Sequence, residues 1–193
     1  MLNIGTQNAG DYDAWVKFNG KSGRWAIKGT DGQDQEITPG SFVADLDNIK
    51  TGWLLFAAGQ APNRVWDERL DSPSLQPTPN HKRGFSLRLF SNASFNGVVE
   101  LSSSSMHLCA AINELYEAYS AGKAANSGKL PVVKFTGVTP QKDKHGTNYK
   151  PSFVIEKWVT RPNELETQYE QSAASPSATT PAPAAQASSV SEF

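Results

Sequence analysis

One amphipathic helix pattern, placed between two groups of strand-like segments, constrains the fold of this chain more than any other feature. Apolar side chains recur at i, i+4, i+7 and i+11: Leu108, Ile112, Leu115 and Tyr119. This spacing puts them on one face of a helix. The serines before Met106 are expected to cap the helix, and Gly122 is expected to end it. A single helix of this kind has to bury its apolar face against a sheet, so the pattern predicts a mainly β domain with one packed helix.

Strand-like segments lie on both sides of this helix. Before it come residues 52–58, which 41–46 can extend, then 82–91 and 97–103, and after it come 130–138 and 152–160. The clearest alternation is in the second of these strands, where Phe85, Leu87 and Leu89 point to one side. Period-two alternation is typical of a half-buried strand. The sequence therefore predicts five strands around the helix.

Two further segments lie outside this set of five strands. Aromatic runs at residues 14–18 and 24–28 flank a turn with two glycines, which predicts an N-terminal hairpin. Residues 59–79 carry four prolines and little periodicity, so we expect a long ordered loop there.

The order of the five strands and the helix indicates a particular fold. Five strands with a helix between the third and the fourth is the order of the OB-fold, a small Greek-key barrel that binds oligonucleotides across one face and between its loops. The sequence therefore predicts an OB-fold-like five-stranded barrel with one helix between strands 3 and 4 and an extra N-terminal hairpin.

The C-terminal residues differ in composition from the rest of the chain. Residues 162–193 contain four Glu and no Lys or Arg, and beyond about Tyr169 they are mostly Ala, Ser, Thr, Pro and Gln. Such a segment cannot bury enough apolar surface to fold. We predict an OB-fold-like domain over residues 1–162 and a disordered Ala/Ser/Pro-rich acidic tail over residues 163–193, which ends in Glu192-Phe193.

Charge is unevenly distributed along the chain. The net charge is −1, but residues 81–161 hold eleven Lys and Arg against five Asp and Glu. A basic segment followed by an acidic tail indicates a polyanion partner and a tail that could compete with it. The alternative is a set of ordinary solvated lysines.

The sequence shows neither a signal peptide nor a membrane span. The first five residues lack a basic and an apolar region, and no stretch approaches the roughly 18 apolar residues that a span needs. We therefore expect a cytoplasmic protein that does not bind membranes. The single cysteine, Cys109, excludes an internal disulfide and is expected in the core.

Sequence signatures of enzymes are mostly absent. There is no phosphate-binding loop, no nucleophile elbow and no zinc-protease motif, and the three histidines lie in different elements. We predict a protein without enzymatic activity, cofactor or metal. A metal-dependent nuclease remains the alternative, because Asp45 and Asp47 supply the carboxylate oxygens that Mg²⁺ accepts.

Cations next to aromatic rings recur along the chain. Proteins that bind single-stranded DNA without sequence preference use cations that follow the phosphates and rings on which bases stack. The candidate DNA-binding residues are Arg24, Trp25, Lys28, Lys82, Arg83, Phe85, Arg88, Lys142, Lys144, Tyr149, Lys150, Lys157 and Trp158. The predicted loop 139–151 is the strongest candidate, because its lysines and Tyr149 have only Asp143 against them. The alternatives are a solvated loop and tryptophans that pack in the core.

Two segments and the C-terminal end resemble the single-stranded DNA-binding proteins of tailed phages. DLDNIKTGW at residues 45–53 and FVIEKWVTRP at 153–162 look like parts of a phage replication-gene group of this kind. The ending Glu192-Phe193 is similar to the acidic tails of the wider bacterial and phage class. The resemblance implies a protein that coats exposed single strands during replication or recombination in the host cytoplasm.

The same resemblance implies a role for the tail. Phe193 would anchor a replication partner such as a polymerase, helicase or primase, with Glu192 as the neighbouring charge. The class usually has several acids before the final Phe, and here only Glu192 stands near it, so docking is expected more than competition with DNA. Two alternatives stay open: the Glu-Phe ending is a cloning remnant, or the whole β domain is a protein-interaction module.

Overall fold

The computed structural model describes residues 14–29, 32–57, 61–144 and 146–166, and these form a mainly β domain. The strands are β1 (Ala14–Asn19), β2 (Arg24–Lys28), β3 (Asp34–Ile37), β4 (Ser41–Ala44), β5 (Lys50–Leu55), β6 (Asn63–Trp66), β7 (Lys82–Ser91), β8 (Gly97–Ser103), β9 (Lys129–Asp143) and β10 (Gly146–Thr160). The helices are α1 (Asn92–Phe95) and α2 (Met106–Lys123), with 3-10 turns at Leu46–Asn48 and Ala124–Asn126 and a helical turn at residues 163–166.

Helix α2 is the helix that the apolar periodicity predicts. The four side chains of the predicted face are buried: Leu108, Ile112, Leu115 and Tyr119. Ser105 occupies the N-cap position, but its hydroxyl makes no capping hydrogen bond. The helix passes Gly122 and ends one residue later, at Lys123, where a 3-10 turn follows. The predicted mainly β domain is thus confirmed, and α2 lies between β8 and β9, which are the third and fourth of the five predicted strands.

The strands form one sheet in the order β10-β9-β4-β7-β8-β1-β2-β3, with β6 attached through β5, which pairs with β7. β4 and β5 are the two halves of the first predicted strand, and both pair with β7 on either side of the 3-10 turn. The neighbours β4–β7, β7–β8, β4–β9 and β9–β10 are all antiparallel. The predicted N-terminal hairpin is present as β1–β2.

This sheet does not close into a five-stranded barrel. β1 pairs in parallel with the edge of β8 that faces away from β7, through Ala14–Val99, Trp15–Glu100 and Val16–Leu101. β2 and β3 then continue the sheet, so that β10 lies at its opposite end. The closed barrel is therefore not confirmed, because the N-terminal hairpin occupies the edge of β8 through which five strands would close.

Two segments predicted as loops contain strands. Residues 59–79 include β6, which pairs with β5. Residues 139–143 belong to β9 and residues 146–151 to β10, and the antiparallel pairing of these strands continues from Lys129–Thr160 out to Asp143–Gly146. The backbone ladder extends past the apolar residues that marked the strands in the sequence, which is why periodicity alone missed it. We call residues 139–144 and 146–150 the hairpin arm.

The base of the hairpin arm is attached to the turn between β1 and β2. The N–H of Tyr149 donates a hydrogen bond of 2.7 Å to the carbonyl oxygen of Gly20. The Tyr149 ring lies against Gly23, where φ is +72° and an added Cβ would stand 3.0 Å from Cγ of the ring. Both the backbone conformation and the contact favour glycine, so Gly23 allows the turn to dock on β10.

The core lies between the sheet and α2. Alternate residues of β7 and β8 fill it, namely Phe85, Leu87, Leu89, Val99 and Leu101, and each is at most 3% exposed. Burying one such side chain contributes about 1.5 to 3 kcal/mol. Cys109 is half-buried beside this core, and burial raises the pKa of its thiol.

The described chain ends in a packed segment. Leu165 is fully buried, and Arg88 donates a hydrogen bond of 3.1 Å to its carbonyl oxygen. Packing therefore continues past residue 162, where the sequence places the domain boundary. Glu192 and Phe193 lie outside the described residues. Within the described ranges, no helix combines the length and apolar character that crossing a membrane requires.

Candidate nucleic-acid interface

A groove of about 530 Å³ runs between α2 and β10. The helix lines it with Ala111, Glu114, Leu115, Ala118 and Gly122, and the strand lines it with Pro151, Ser152, Phe153, Val154, Ile155 and Trp158. Most of these residues are apolar, with a charge only at Glu114. The volume lies within the range of pockets that hold small ligands. The groove therefore offers an apolar wall with two aromatic rings beside a strand that carries cations.

Trp158 is held in place at one end of this groove. Its ring stacks on Tyr119, with centroids 5.6 Å apart and an angle of 29° between the planes. The indole also lies against the backbone of α2 at Gly122, where an added Cβ would stand 2.7 Å from Cζ2. Trp158 is only half-buried. A half-exposed indole with a fixed orientation is suited to stacking on a base.

Replacing Gly122 with alanine should displace Trp158. Alanine at a helix position normally stabilises by about 1 kcal/mol relative to glycine. Here the new methyl group meets the indole, so we expect Gly122→Ala to destabilise by about 1 to 2 kcal/mol and to shift the tryptophan emission. Urea denaturation followed by circular dichroism measures the first effect.

The matched control for this prediction is the same substitution in a Trp158→Ala background. There the steric conflict is gone, so Gly122→Ala should become stabilising, and the double-mutant cycle should give a coupling energy of about 2 kcal/mol. Equal effects of Gly122→Ala in both backgrounds would show that Gly122 does not position the indole.

Three exposed lysines lie beyond the other end of the groove, on the hairpin arm and on the turn that docks against it. Lys142 and Lys144 are at the tip of the hairpin arm, and Lys21 is in the turn that docks at Tyr149. None of the three forms an ion pair with a described residue. Lys150, next to Tyr149, forms an ion pair with Glu114 of α2. The structure thus brings together the predicted residues of the arm and adds Lys21, which the sequence reasoning missed.

A signal for Lys21 was present but could not be interpreted. The two glycines that flank Lys21 and Ser22 mark a tight turn, but nothing in the order of residues says that this turn docks on β10. Only the contact of Gly20 and Gly23 with Tyr149 places Lys21 beside the arm.

Two aromatic candidates are buried, and their assignment to DNA stacking is corrected. Trp25 is 2% exposed and packs against the rings of Phe18, Phe135 and Phe153. Phe85 is 3% exposed in the core face of β7. Their neighbours Arg24 and Lys82 are exposed, because successive side chains of a strand point to opposite faces. In β2 and β7 the ring is therefore buried on one face of the strand while the cation stands on the other.

The cations of β2 lie away from the groove. Arg24 forms an ion pair of 2.8 Å with Glu36 of β3. Lys28 is exposed at the end of β2. Neither residue is among those that line the groove, and Arg24 is already paired, so the structure does not place them beside the hairpin arm.

Arg83 is engaged in a structural contact. Its Nη1 and Nη2 donate to the two carboxylate oxygens of Asp67, at 2.8 and 2.6 Å, and its guanidinium lies 5.3 Å from the centre of the Trp53 ring. Hydrogen bonds from Arg83 hold the pKa of Asp67 far below its ordinary value, although burial opposes them. Asp67 also accepts from Ser74. Arg83 thus fixes the segment after β6 and is not among the residues that line the groove, so its binding to DNA stays a prediction.

The two other cations of β7 are also separate from the groove. The guanidinium of Arg88 donates to the carbonyl oxygens of Glu164 and Leu165, at 3.4 and 3.1 Å. Lys82 is exposed at the start of the strand. In the sheet order β4 and β9 stand between β7 and β10. Of the predicted set, the structure therefore gathers along β10 and the hairpin arm only Lys142, Lys144, Tyr149, Lys150, Lys157 and Trp158.

The two carboxylates considered for Mg²⁺ bind cations of this chain. Asp45 is fully buried and pairs with Arg161 at 2.8 Å. Asp47 accepts hydrogen bonds from Tyr119 and Lys123 and pairs with Arg161. Burial alone would raise the pKa of Asp47, but hydrogen bonds from Lys123 and Tyr119 and the charges of Lys123 and Arg161 outweigh it and lower that pKa. This network joins the end of β10 to α2 and the 3-10 turn.

Among the described residues, no group of three or more His, Cys, Asp or Glu is arranged to hold a metal ion. Comparison with protein-family models, curated proteins and solved structures found no match to this chain. The resemblance to phage single-stranded DNA-binding proteins therefore stays a prediction.

Proposed function

We propose that this protein binds single-stranded DNA without catalysing a reaction, and that it coats exposed strands during phage DNA replication or recombination. One observation carries the proposal. An apolar groove with two rings, Phe153 and Trp158, runs along β10 and leads to a group of exposed lysines on the hairpin arm. Rings for bases next to cations for phosphates are what binding of a single strand requires.

This surface can provide both base stacking and the neutralisation of phosphates. Each base that stacks on an aromatic ring contributes about 1 to 3 kcal/mol, largely irrespective of its identity. Each phosphate that a lysine neutralises releases counterions, which adds about −0.7 to the slope of log K against log salt. No described acidic residue pairs with Lys21, Lys142 or Lys144, so these lysines can bind a phosphate without first breaking an ion pair.

The length of the surface fits a short stretch of nucleotides. Tyr149 and Trp158 are nine residues apart on β10, which corresponds to about 30 Å of extended strand. Single OB-fold modules cover about 4 to 16 nucleotides. We include in the proposal that β4–β5, β7, β8, β9 and β10 are an OB-like arrangement whose closure is taken over by the N-terminal hairpin, since these strands follow the predicted order.

The tail has a separate role in the proposal. Residues beyond Glu166 would act as a linker that carries Glu192 and Phe193 to a replication protein, such as a polymerase, helicase or primase, in the host cytoplasm. An aromatic ring beside an acidic side chain offers a partner an apolar anchor and a charge to pair. The support is the composition of the tail and its ending.

Titration with oligo-dT tests the proposal as a whole. Binding should quench the intrinsic fluorescence, because Trp158 lies in the groove, and the affinity should fall with salt. Heparin at matched charge is the control polyanion. If heparin binds as tightly as oligo-dT and no tryptophan is quenched, the protein only attracts anions and the proposal is wrong.

Removing the two arm lysines should weaken binding to all sequences alike. In Lys142→Ala with Lys144→Ala, two phosphate contacts are lost, so the slope of log K against log salt should become shallower by about 1.4. The matched control is Lys28→Ala with Lys82→Ala, which removes the same charge from exposed lysines elsewhere. An equal loss in both double variants would show that net charge, and not the hairpin arm, determines the affinity.

A further inference from the structure

Glu114 is a negative charge in the wall of a groove that we propose to bind a polyanion. Its side chain is 65% exposed and forms an ion pair with Lys150, which is 22% exposed. The other lining residues carry no charge. A carboxylate at this place repels phosphate. A part of the bound nucleotide other than its phosphate therefore has to lie against Glu114.

The Glu114–Lys150 pair complements a single nucleotide. A nucleotide carries its negative charge on the phosphate and its hydrogen-bond donors on the base edge. When a strand enters this end of the groove, Lys150 can turn to the phosphate while Glu114 accepts from the base. One ion pair is exchanged for two charge-assisted contacts, which are the strong class of hydrogen bond. This arrangement orients the strand with its bases towards α2 and its backbone towards β10 and the hairpin arm.

The carboxylate also distinguishes between bases, because an ionised carboxylate only accepts hydrogen bonds. Guanine presents two adjacent donors on its Watson–Crick edge, N1–H and N2–H, which match the two oxygens of one carboxylate. Adenine and cytosine present one amino group. Thymine has a single N–H between two carbonyl oxygens, and a carboxylate repels both of these. Bases of single strands are read on this edge.

We propose that Glu114 is a specificity-determining residue, which makes the groove prefer guanine to thymine at the nucleotide next to Lys150. The inference rests on the proposed function, since it assigns one base position within an otherwise sequence-tolerant site. The inference concerns only the pair Glu114 and Lys150. It can therefore be wrong even if the protein binds single strands.

Fluorescence anisotropy with end-labelled oligonucleotides tests this inference. The full chain is titrated with oligo-dT about twelve nucleotides long and with an alternating dT/dG strand of equal length. A bidentate contact discriminates between bases, and because Glu114 is largely exposed we expect the lower end of the usual range, about fivefold to tenfold tighter binding of dT/dG. Replacing guanine with hypoxanthine removes only the N2 amino group and should reduce this preference to about twofold.

Two glutamine variants complete the test. Glu114→Gln should lower the preference for dT/dG below about twofold and should raise the affinity for oligo-dT, because the carboxylate that repels thymine is gone and Lys150 is released. Glu117→Gln is the matched control, since Glu117 is exposed on α2 and does not line the groove, and it should keep the preference of the native chain.

The outcomes separate this inference from the proposed function. Equal affinity of the native chain for oligo-dT and dT/dG, or an unchanged preference in Glu114→Gln, overturns the role of Glu114 while single-strand binding stands. If the native chain binds neither strand more tightly than heparin and no tryptophan is quenched, the proposed function is overturned and the inference with it.

Discussion

Arg161→Ala is expected to lower the free energy of unfolding by about 3 to 5 kcal/mol, because it leaves a buried carboxylate without its counter-charge. Asp45 is fully buried and pairs with Arg161 at 2.8 Å, and its remaining hydrogen bonds come from Asn48. Arg161 also binds Asp47, the residue that accepts from Tyr119. The substitution should therefore loosen the end of β10 as well as the 3-10 turn. Urea denaturation followed by circular dichroism measures the loss.

Lys157→Ala is the matched control, since Lys157 is an exposed cation near the end of β10, four residues before Arg161. It should change stability by less than about 0.5 kcal/mol. The double variant Asp45→Ala with Arg161→Ala should lose less than the sum of its single variants, because neither charge is then left unpaired. A loss below about 1 kcal/mol in Arg161→Ala would mean that water reaches Asp45 and that the pair does not stabilise the fold.

Trp25→Ala should cost about 3 to 5 kcal/mol of stability, the usual cost of deleting a large aromatic side chain from a core. Trp25 packs among three phenylalanine rings, with centroids 4.9 to 6.2 Å away. Two of these rings, Phe135 and Phe153, belong to β9 and β10. The indole therefore links the N-terminal hairpin to the strands that carry the candidate interface. Circular dichroism during urea titration is the suitable measurement, because it does not depend on the tryptophan removed.

Trp25→Phe distinguishes a core role from base stacking. It keeps an apolar ring in the core, so the loss should fall to about 1 to 2 kcal/mol, and the affinity for oligo-dT should stay within about twofold of the native value. If Trp25→Phe keeps the full stability but loses much of the affinity for oligo-dT, then Trp25 contacts DNA. Trp158→Phe provides the comparison at the groove, where part of the stacking should be lost.

Periodicity was sufficient to predict the elements that bury one face. Leu108, Ile112, Leu115 and Tyr119 define α2, and the alternation of Phe85, Leu87 and Leu89 defines β7. Where both strands of a pair are polar, as in the hairpin arm, the ladder of backbone hydrogen bonds continues without an apolar pattern. The strands there could not be found from the side chains.

Whether the sheet closes could not be predicted from the sequence, for another reason. The edge of β8 can accept any strand that reaches it, and the N-terminal β1 does so in parallel. Which of two strands takes an edge depends on packing between segments far apart in the chain. The contacts of Trp25 with Phe153 and of Gly23 with Tyr149 hold the hairpin against β10, while β1 pairs with β8.

For the candidate interface, the sequence by itself determined which residue types are present and where along the chain cations lie beside rings. The tertiary structure decided which of them face solvent and which are already paired. The first follows because adjacent residues of a strand point to opposite faces, so Trp25 is buried while Arg24 is exposed. The second follows because partners come from distant segments: Arg161 binds Asp47, 114 residues away, and Lys150 binds Glu114 across the groove.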